Sequence, residues 1–216
     1  MGAVSPGLDN TLGVILAGGQ GRRMGGVDKA LVTLGNQPLG AHVAGRLAAQ
    51  LAPGRLYLGA SWPPERDGGL GLPRIYDDQA TRLGPLAGLL AAMRVSEALG
   101  QGIGWVLSAP TDTPFLPDDL LQRLSAGARD ADIVLAASAG GLCQVCGLWA
   151  VGLTSDLAAA LASGQNKVLT FVEAHCWARV EFPLEPIGGT MVDPFFNINT
   201  PEDLALACEF LGGARK

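Results

Sequence analysis

The sequence predicts a single α/β domain with a mainly parallel, doubly wound sheet and helices on both of its faces. Short apolar segments typical of buried strands alternate with segments of helical periodicity through residue 135, as they do in parallel α/β sheets. The chain has 216 residues, the length of one ordinary domain, and 48% of them are hydrophobic, which is enough for a sizeable core. Residues 1–10 lack periodicity and predict a loose leader, so the expected domain covers residues 11–216.

The first half of the chain supplies three predicted strands and two predicted helices. Residues 12–16 form an apolar run that ends at a glycine pair, and residues 55–59 and 75–76 are the second and third strands. Residues 39–51 carry leucine or valine at every fourth position, which is the spacing of one helical face. The helix predicted over residues 84–99 has proline in its first turn and glycine just past its end, the usual asymmetry of helix termini.

The second half adds further strands and helices. The helix predicted over residues 117–124 carries Asp118 and Asp119 in its first turn, where the helix dipole favours anions. The last helix begins at Thr200, with a threonine cap and proline at the first helical position, and runs to about Leu211. The remaining predictions are strands at 105–108, 133–137, 144–150 and 179–182 and helices at 154–161 and 168–175.

Charge and hydropathy exclude several classes of function. The net charge of −5 and the isoelectric point of about 4.9 argue against a basic surface for nucleic acid. The sequence has no apolar stretch of about 18 residues, so we expect no transmembrane helix and no membrane partner. The N-terminus lacks a basic segment followed by an apolar run, so we expect a cytoplasmic protein.

The glycine-rich segment from residue 16 to residue 29 reads Leu-Ala-Gly-Gly-Gln-Gly-Arg-Arg-Met-Gly-Gly-Val-Asp-Lys. Its glycines allow the backbone to approach a ligand closely, and Arg22, Arg23 and Lys29 add positive charge, so the segment predicts a phosphate site. It follows the first strand, at the edge where open α/β sheets bind ligands. The segment is not a P-loop, because that motif has a glycine directly before a lysine and this segment has none. It also departs from the G-x-G-x-x-G/A fingerprint of dinucleotide-binding sites, because Met24 stands at the last glycine position.

The cysteines Cys143 and Cys146 form a C-x-x-C motif within the predicted strand 144–150 and the residues before it. Such a motif could be redox-active or could supply half of a zinc site. Because the surrounding segment is typical of a buried strand, the sequence favours a structural role, in which cysteine serves as a small hydrophobic residue.

Four blocks of sequence together resemble the molybdenum cofactor guanylyltransferases, which belong to the nucleotidyltransferases of the glycosyltransferase-A-like fold. The resemblance covers nearly the whole chain, in order. The blocks are Leu-Ala-Gly-Gly at 16–19 with Arg-Arg-Met-Gly-Gly-Val-Asp-Lys-Ala-Leu at 22–31, Asp77 through Gly-Pro-Leu-Ala-Gly at 84–88, Pro-Thr-Asp-Thr-Pro at 110–114, and Phe-Asn-Ile-Asn-Thr-Pro-Glu-Asp-Leu at 196–204.

The resemblance implies a Mg²⁺-dependent reaction. A terminal phosphate of the molybdopterin cofactor attacks the α-phosphorus of GTP, pyrophosphate leaves, and a guanine dinucleotide form of the cofactor results. Because both reactants are polyanions, such a site must supply cations and oriented N–H groups, and an already ionised nucleophile needs no general base. Proteins that deliver the cofactor, or molybdoenzymes that receive it, are further expected partners.

The resemblance also assigns residues. It implies that Asp112 holds the metal and that Lys29, Arg22 and Asp112 serve catalysis. Asn197 and Asn199 are expected to touch the pterin substrate, although both also suit a turn before a helix. The residues expected to bind the nucleotide are Leu16, Ala17, Gly18, Gly19, Lys29, Asp77 and Asp112, with Asp78 as an alternative to Asp77.

One departure from the family and three alternatives accompany this hypothesis. Family members often carry asparagine after the second strand, and this chain has Gly59 there, so a backbone group or Ser61 must replace that contact with the nucleotide. A related nucleotidyltransferase could use CTP, or could load a sugar phosphate or another phosphorylated acceptor. A nucleotide-sensing protein without turnover is the third alternative, although the presence of both Asp112 and Lys29 argues against it.

Overall fold

A computed structural model of the protein describes residues 5–17, 29–60, 70–76, 84–100 and 102–212. The strands within these ranges are β1 (Thr11–Ala17), β2 (Thr33–Leu34), β3 (Gln37–Pro38), β4 (Leu56–Ala60), β5 (Arg74–Ile75), β6 (Trp105–Pro110), β7 (Ile133–Ser138), β8 (Gly141–Ala150), β9 (Trp177–Glu181), β10 (Glu185–Ile187) and β11 (Thr190–Val192). The helices are α1 (Leu39–Ala48), α2 (Pro85–Leu99), α3 (Leu120–Gly127), α4 (Thr154–Ala162), α5 (Val168–Glu173) and α6 (Pro201–Gly212), with 3₁₀ turns at Lys29–Leu31 and Val151–Leu153.

Seven strands form one central sheet in the order β5-β4-β1-β6-β8-β7-β9. The pairs β5–β4, β4–β1, β1–β6 and β7–β9 are parallel, whereas β8 runs antiparallel to both β6 and β7. The predicted α/β fold with a mainly parallel sheet is therefore confirmed, and β8 is the strand that departs from parallel order. Since β7 and β8 are joined by a two-residue turn, they can only be antiparallel.

Helices cover both faces of this sheet, as predicted. Alternate residues of β1 point to opposite faces, so Val14 belongs to a first core cluster that includes residues of α2, α4 and α5, while Ile15 belongs to a second core cluster that includes residues of α1 and α3. Both side chains are fully buried. At Gly88 in α2, an added Cβ would lie 2.9 Å from Leu16 Cδ2, so the glycine allows the helix to approach the end of β1 closely.

A third, smaller cluster joins the last helix to the rest of the domain. Leu34, Phe115, Ile198 and Ala207 are buried together in it, and Phe210 packs edge-on against Phe115. This cluster brings the segment before α6 against the residues that follow β6. The short antiparallel pairs β2–β3 and β10–β11, which the sequence analysis did not predict, lie outside the central sheet.

The predicted helix over 117–124 is wrong at its start, because α3 begins at Leu120 and Asp118 and Asp119 precede it. The carbonyl oxygens of Leu116 and Pro117 accept side-chain hydrogen bonds from α1 and the turn after it, at 2.7 Å from Arg46 and 2.9 Å from Gln50. Gln50 also accepts a bond from the backbone N–H of Leu121 at 2.8 Å. A side chain from the turn after α1 thus satisfies one N–H group in the first turn of α3, which no local pattern reveals.

Most other predicted elements are present with ends shifted by one to three residues. The strand predicted at 179–182 is β9, which begins earlier, at Trp177, and the helix predicted at 168–175 ends at Glu173. Within the described ranges, no helix combines the length and the apolar character that crossing a membrane requires.

Candidate active site

The candidate site lies at the edge of the sheet where β1 and β6 end. These neighbouring strands are parallel, and Leu16 pairs with Pro110, so β1 and β6 end at the same level of the sheet. Leu16 and Ala17 are 9% and 4% exposed, and their side chains pack into the core. A contact of these two residues with a nucleotide would therefore have to come mainly from the backbone, and it stays a prediction.

Asp112 lies in the turn that follows β6, between two buried threonines. Its side chain is 13% exposed. Its carbonyl oxygen accepts the backbone N–H of Ile198 at 2.9 Å. Since Ile198 is fully buried in the third cluster, this bond fixes the Asp112 turn against the segment before α6.

Lys29 reaches across to both of these segments. Its Nζ donates to Asp112 Oδ2 at 2.9 Å and also to Asn199 Oδ1. The 3₁₀ turn that begins at Lys29 is anchored by Ala30, which is 1% exposed. One cation therefore connects a carboxylate and an amide oxygen from two segments that are distant in sequence. We call Lys29, Asp112 and Asn199 the site cluster.

The start of α6 orients Asn199. The carboxylate of Asp203 accepts the backbone N–H groups of Asn199 and Thr200, both at 2.9 Å, and the Thr200 hydroxyl accepts the N–H of Asp203 at 3.2 Å. This is a reciprocal capping box, and it confirms the predicted threonine cap. Burial opposes ionisation of Asp203, but the N–H bonds from Asn199 and Thr200 prevail and lower the pKa of its carboxyl group.

We expect the Thr200→Ala substitution to lower the free energy of unfolding by about 1 kcal/mol, the usual cost of a lost N-cap. Chemical denaturation measured by circular dichroism checks this value. Thr170→Ala is the matched control, because Thr170 is an exposed residue within α5 and alanine favours helix there. Equal loss in both variants would contradict a capping role for Thr200.

The oxygen atoms of the site cluster fit a hard divalent cation. Oδ1 of Asp112 is buried and has no hydrogen-bond partner among the described residues. A buried carboxylate oxygen without a donor is costly, and such atoms are concentrated at functional sites. The positively charged ammonium group of Lys29 already donates hydrogen bonds to two oxygen atoms of the cluster, Asp112 Oδ2 and Asn199 Oδ1. Magnesium commonly uses one or two protein oxygens and completes its shell with phosphate oxygens and water.

Asp193 is a structural residue that was not predicted from the sequence. Its Oδ2 accepts the Ser138 hydroxyl at 2.7 Å and the Gly140 backbone N–H at 2.9 Å, and its Oδ1 accepts the N–H of Phe195 at 2.8 Å. It thereby connects the turn between β7 and β8 to the segment that leads to Asn199. The Asp-Pro pair at 193–194 is a turn signal that could have drawn attention to it.

The structure thus brings together three of the predicted site residues, the members of the site cluster. Asn197, two residues before Asn199, is exposed. Gly18, Gly19, Arg22 and Asp77 lie outside the described residues, as do Arg23, Asp78 and Ser61. Gly59 is buried in β4, and a Cβ there would lie 3.2 Å from Val14 Cγ2, so the Val14 side chain leaves little room for a larger residue at this position.

Comparison with solved structures assigns this chain to a known fold. The chain superposes on the molybdopterin-guanine dinucleotide biosynthesis protein A of Archaeoglobus fulgidus with a TM-score of 0.69 and 22% identity, over 94% of this chain and 98% of that one. It also resembles the 2-C-methyl-D-erythritol 4-phosphate cytidylyltransferase of Thermus thermophilus, with a TM-score of 0.63 and 19% identity, over 94% and 99% of the two chains. At these identities the similarity establishes the α/β nucleotidyltransferase fold.

Comparison of sequences gives the family. The family described as MobA-like NTP transferase domain matches residues 13–179. A molybdenum cofactor guanylyltransferase of Cereibacter sphaeroides is 46% identical over 196 residues, which are 90% of this chain and 94% of the relative. One of Rhizobium leguminosarum bv. trifolii is 40% identical over 98% of both chains. Both the implied fold and the implied family are therefore confirmed, and this chain belongs to the MobA-like NTP transferases, as a relative of the molybdenum cofactor guanylyltransferases.

Proposed function

We propose that this protein transfers GMP from GTP to the terminal phosphate of the molybdenum-bearing molybdopterin cofactor and releases pyrophosphate. Relatives that carry the name molybdenum cofactor guanylyltransferase match this chain at 40 to 46% identity over at least 90% of its length. The observation in the structure that carries the proposal is the site cluster, in which one lysine joins an acidic and an amide side chain at the ligand-binding edge of the sheet.

The reaction requires the protein mainly to position the two reactants and to offset their negative charge. The attacking phosphate is already ionised at neutral pH, so the reaction needs no general base, and the barrier comes mainly from bringing two anions together. A lysine ammonium has three N–H donors. Two N–H donors of Lys29 are directed at Asp112 and Asn199. We assign the third to a phosphate oxygen of GTP, where it would stabilise charge that develops during transfer.

Asp112 and Asn199 are the residues that would hold Mg²⁺. When bound, this ion neutralises triphosphate charge and helps to orient the α-phosphate. Asp112 supplies the unpartnered Oδ1, while the capping box of α6 keeps Asn199 directed at the same point. Arg22 lies outside the described residues, and we assign it as a second cation for the phosphates on the basis of its sequence motif.

A nucleotide panel tests the proposal, with pyrophosphate release as the readout. With Mg²⁺ and molybdopterin present, we expect release from GTP to exceed release from CTP by about tenfold or more, because a site that hydrogen-bonds one base leaves its polar groups unpaired with another. Equal rates with CTP would contradict the guanine specificity. Omitting molybdopterin is the control for hydrolysis, and omitting Mg²⁺ should abolish release.

The same panel separates the alternatives. Faster release from CTP would favour a cytidylyltransferase, and release that requires a sugar phosphate instead of molybdopterin would favour a sugar-loading enzyme. Binding of GTP without any release in the complete mixture would favour a nucleotide-sensing protein. Proteins that deliver the cofactor, or molybdoenzymes that accept it, remain the expected protein partners of this reaction.

A further inference from the structure

Cys143 and Cys146 meet in an irregular part of β8 that the proposed reaction does not use. In the pairing between β7 and β8, Leu135 lies opposite Gly147 and Ala137 lies opposite Leu142. Five residue steps along β8 therefore face only two steps along β7. In a regular antiparallel strand five steps would span about 17 Å and two steps about 7 Å, so residues 143–146 must bow out of the strand.

This bulge changes the position of the two cysteines relative to each other. In a regular strand, residues three apart point to opposite faces and their Cα atoms are about 10 Å apart, which is too far for a disulfide. Here both cysteines, which are free thiols, pack in the same core cluster on one face of the sheet.

The bulge is held in place by neighbouring residues. The Ser108 hydroxyl donates to the carbonyl oxygen of Val145 at 2.7 Å and accepts the indole N–H of Trp149 at 2.8 Å. At Gly147 an added Cβ would lie 2.4 Å from the carbonyl oxygen of Val134, so this position requires glycine. Ser108 pairs with Gly147 and the strands are antiparallel, so the bulge lies toward the sheet edge that carries Asp112.

The two thiols differ in access and in acidity. Cys143 is half-buried and can meet a small solute, whereas Cys146 is fully buried. The hydrogen bond from Cys146 lowers the pKa of the Cys143 thiol, while burial raises the pKa of the Cys146 thiol. An accessible thiol of lowered pKa beside a buried one is the usual arrangement of an attacking and a resolving cysteine.

We propose that Cys143 and Cys146 form a reversible dithiol–disulfide site that exchanges with small-molecule disulfides. The Cys143 thiolate attacks one sulfur of the disulfide, whose S–S bond breaks, and one thiol leaves after taking a proton. Cys146 then loses its proton and attacks Cys143 Sγ, which releases the second thiol and closes the protein disulfide. Two protein thiols are oxidised and one external disulfide is reduced to two thiols, so atoms and electrons balance. This inference does not depend on the proposed transfer reaction.

Peptide mapping of the full chain tests the site. The native protein is incubated with oxidised glutathione, remaining thiols are alkylated with iodoacetamide, and the protein is then digested with trypsin. Cleavage after Arg129 and Lys167 isolates the pair in one peptide, while Cys176 and Cys208 fall in other peptides and report on exposed thiols. We expect the peptide of residues 130–167 to lose the mass of two hydrogen atoms and to take no alkyl group, and a dithiol reductant should restore both thiols.

Two variants establish the order of attack. We expect C146S to trap one glutathionyl group on Cys143, because no resolving thiol remains, and C143S to leave the buried Cys146 unmodified. The proposal is overturned if both cysteines of the native peptide are alkylated under conditions that glutathionylate Cys176 and Cys208. It is equally overturned if Cys143 pairs with one of those two cysteines. These outcomes are read from the native chain, so the proposal remains testable even if a variant fails to fold.

Discussion

Replacement of Asp112 by asparagine is expected to reduce the rate of pyrophosphate release by at least about 100-fold, within the range for removal of one preorganised electrostatic group. The substitution keeps the shape of the side chain but removes the charge that would hold Mg²⁺, and it converts one carboxylate oxygen into an NH₂ group. The asparagine amide would also present to the Lys29 ammonium group either its oxygen, which is a weaker acceptor than a carboxylate, or its NH₂ group, which repels the ammonium. The measurement is the initial rate at saturating GTP and Mg²⁺.

The fold should survive the Asp112→Asn substitution. The Lys29–Asp112 pair is mostly buried, with side chains 19% and 13% exposed, but asparagine keeps the shape of the side chain and an oxygen acceptor for the Lys29 ammonium group. Thermal melting should therefore differ little from that of the parent chain. Asp130→Asn is the matched control, because Asp130 is exposed and lies outside the site cluster. Activity within tenfold of the parent would place the metal elsewhere.

Removal of the Lys29 ammonium by Lys29→Ala should lower kcat/KM about 100-fold, which corresponds to roughly 3 kcal/mol of transition-state stabilisation. The loss has two parts, since Lys29 would contact a phosphate oxygen and also keeps Asp112 and Asn199 close together. Lys29→Arg should restore only part of the activity, because a planar guanidinium does not reproduce the point charge of an ammonium.

Lys167→Ala is the control for Lys29→Ala. Lys167 is an exposed lysine that precedes α5, so its loss changes the net charge of the protein by the same amount without touching the site cluster. A fall of less than tenfold for Lys29→Ala would contradict a role in phosphate binding. An equal fall in both variants would indicate a general effect of net charge instead.

Local patterns were sufficient to predict most of the fold. The helix at 84–99 was predicted from proline at one end and glycine at the other, and α2 occupies Pro85–Leu99. The antiparallel course of β8 was not predicted, because an apolar strand has the same composition in either direction. The start of α3 was missed since its cap comes from Gln50, 71 residues away in sequence.

The members of the site cluster were predicted individually, and their mutual contacts were not. Lys29 and Asp112 were chosen for charge and for their place in motifs, whereas Asn199 was assigned to the pterin substrate. The structure places Asn199 on the same ammonium group as Asp112. Such a contact depends on the docking of α6 through the third cluster, and long-range packing leaves no periodic signal in the chain.

The hydrogen bond between Lys29 and Asn199 joins positions 170 residues apart. Contacts of such high sequence separation are costly in loop-closure entropy and form late in folding. During synthesis, the sheet could largely assemble while the segment carrying Asn199 is still within the ribosome. Catalytic competence should therefore be the last property acquired by the nascent chain, and recovery of turnover should lag behind recovery of helical signal in a refolding experiment.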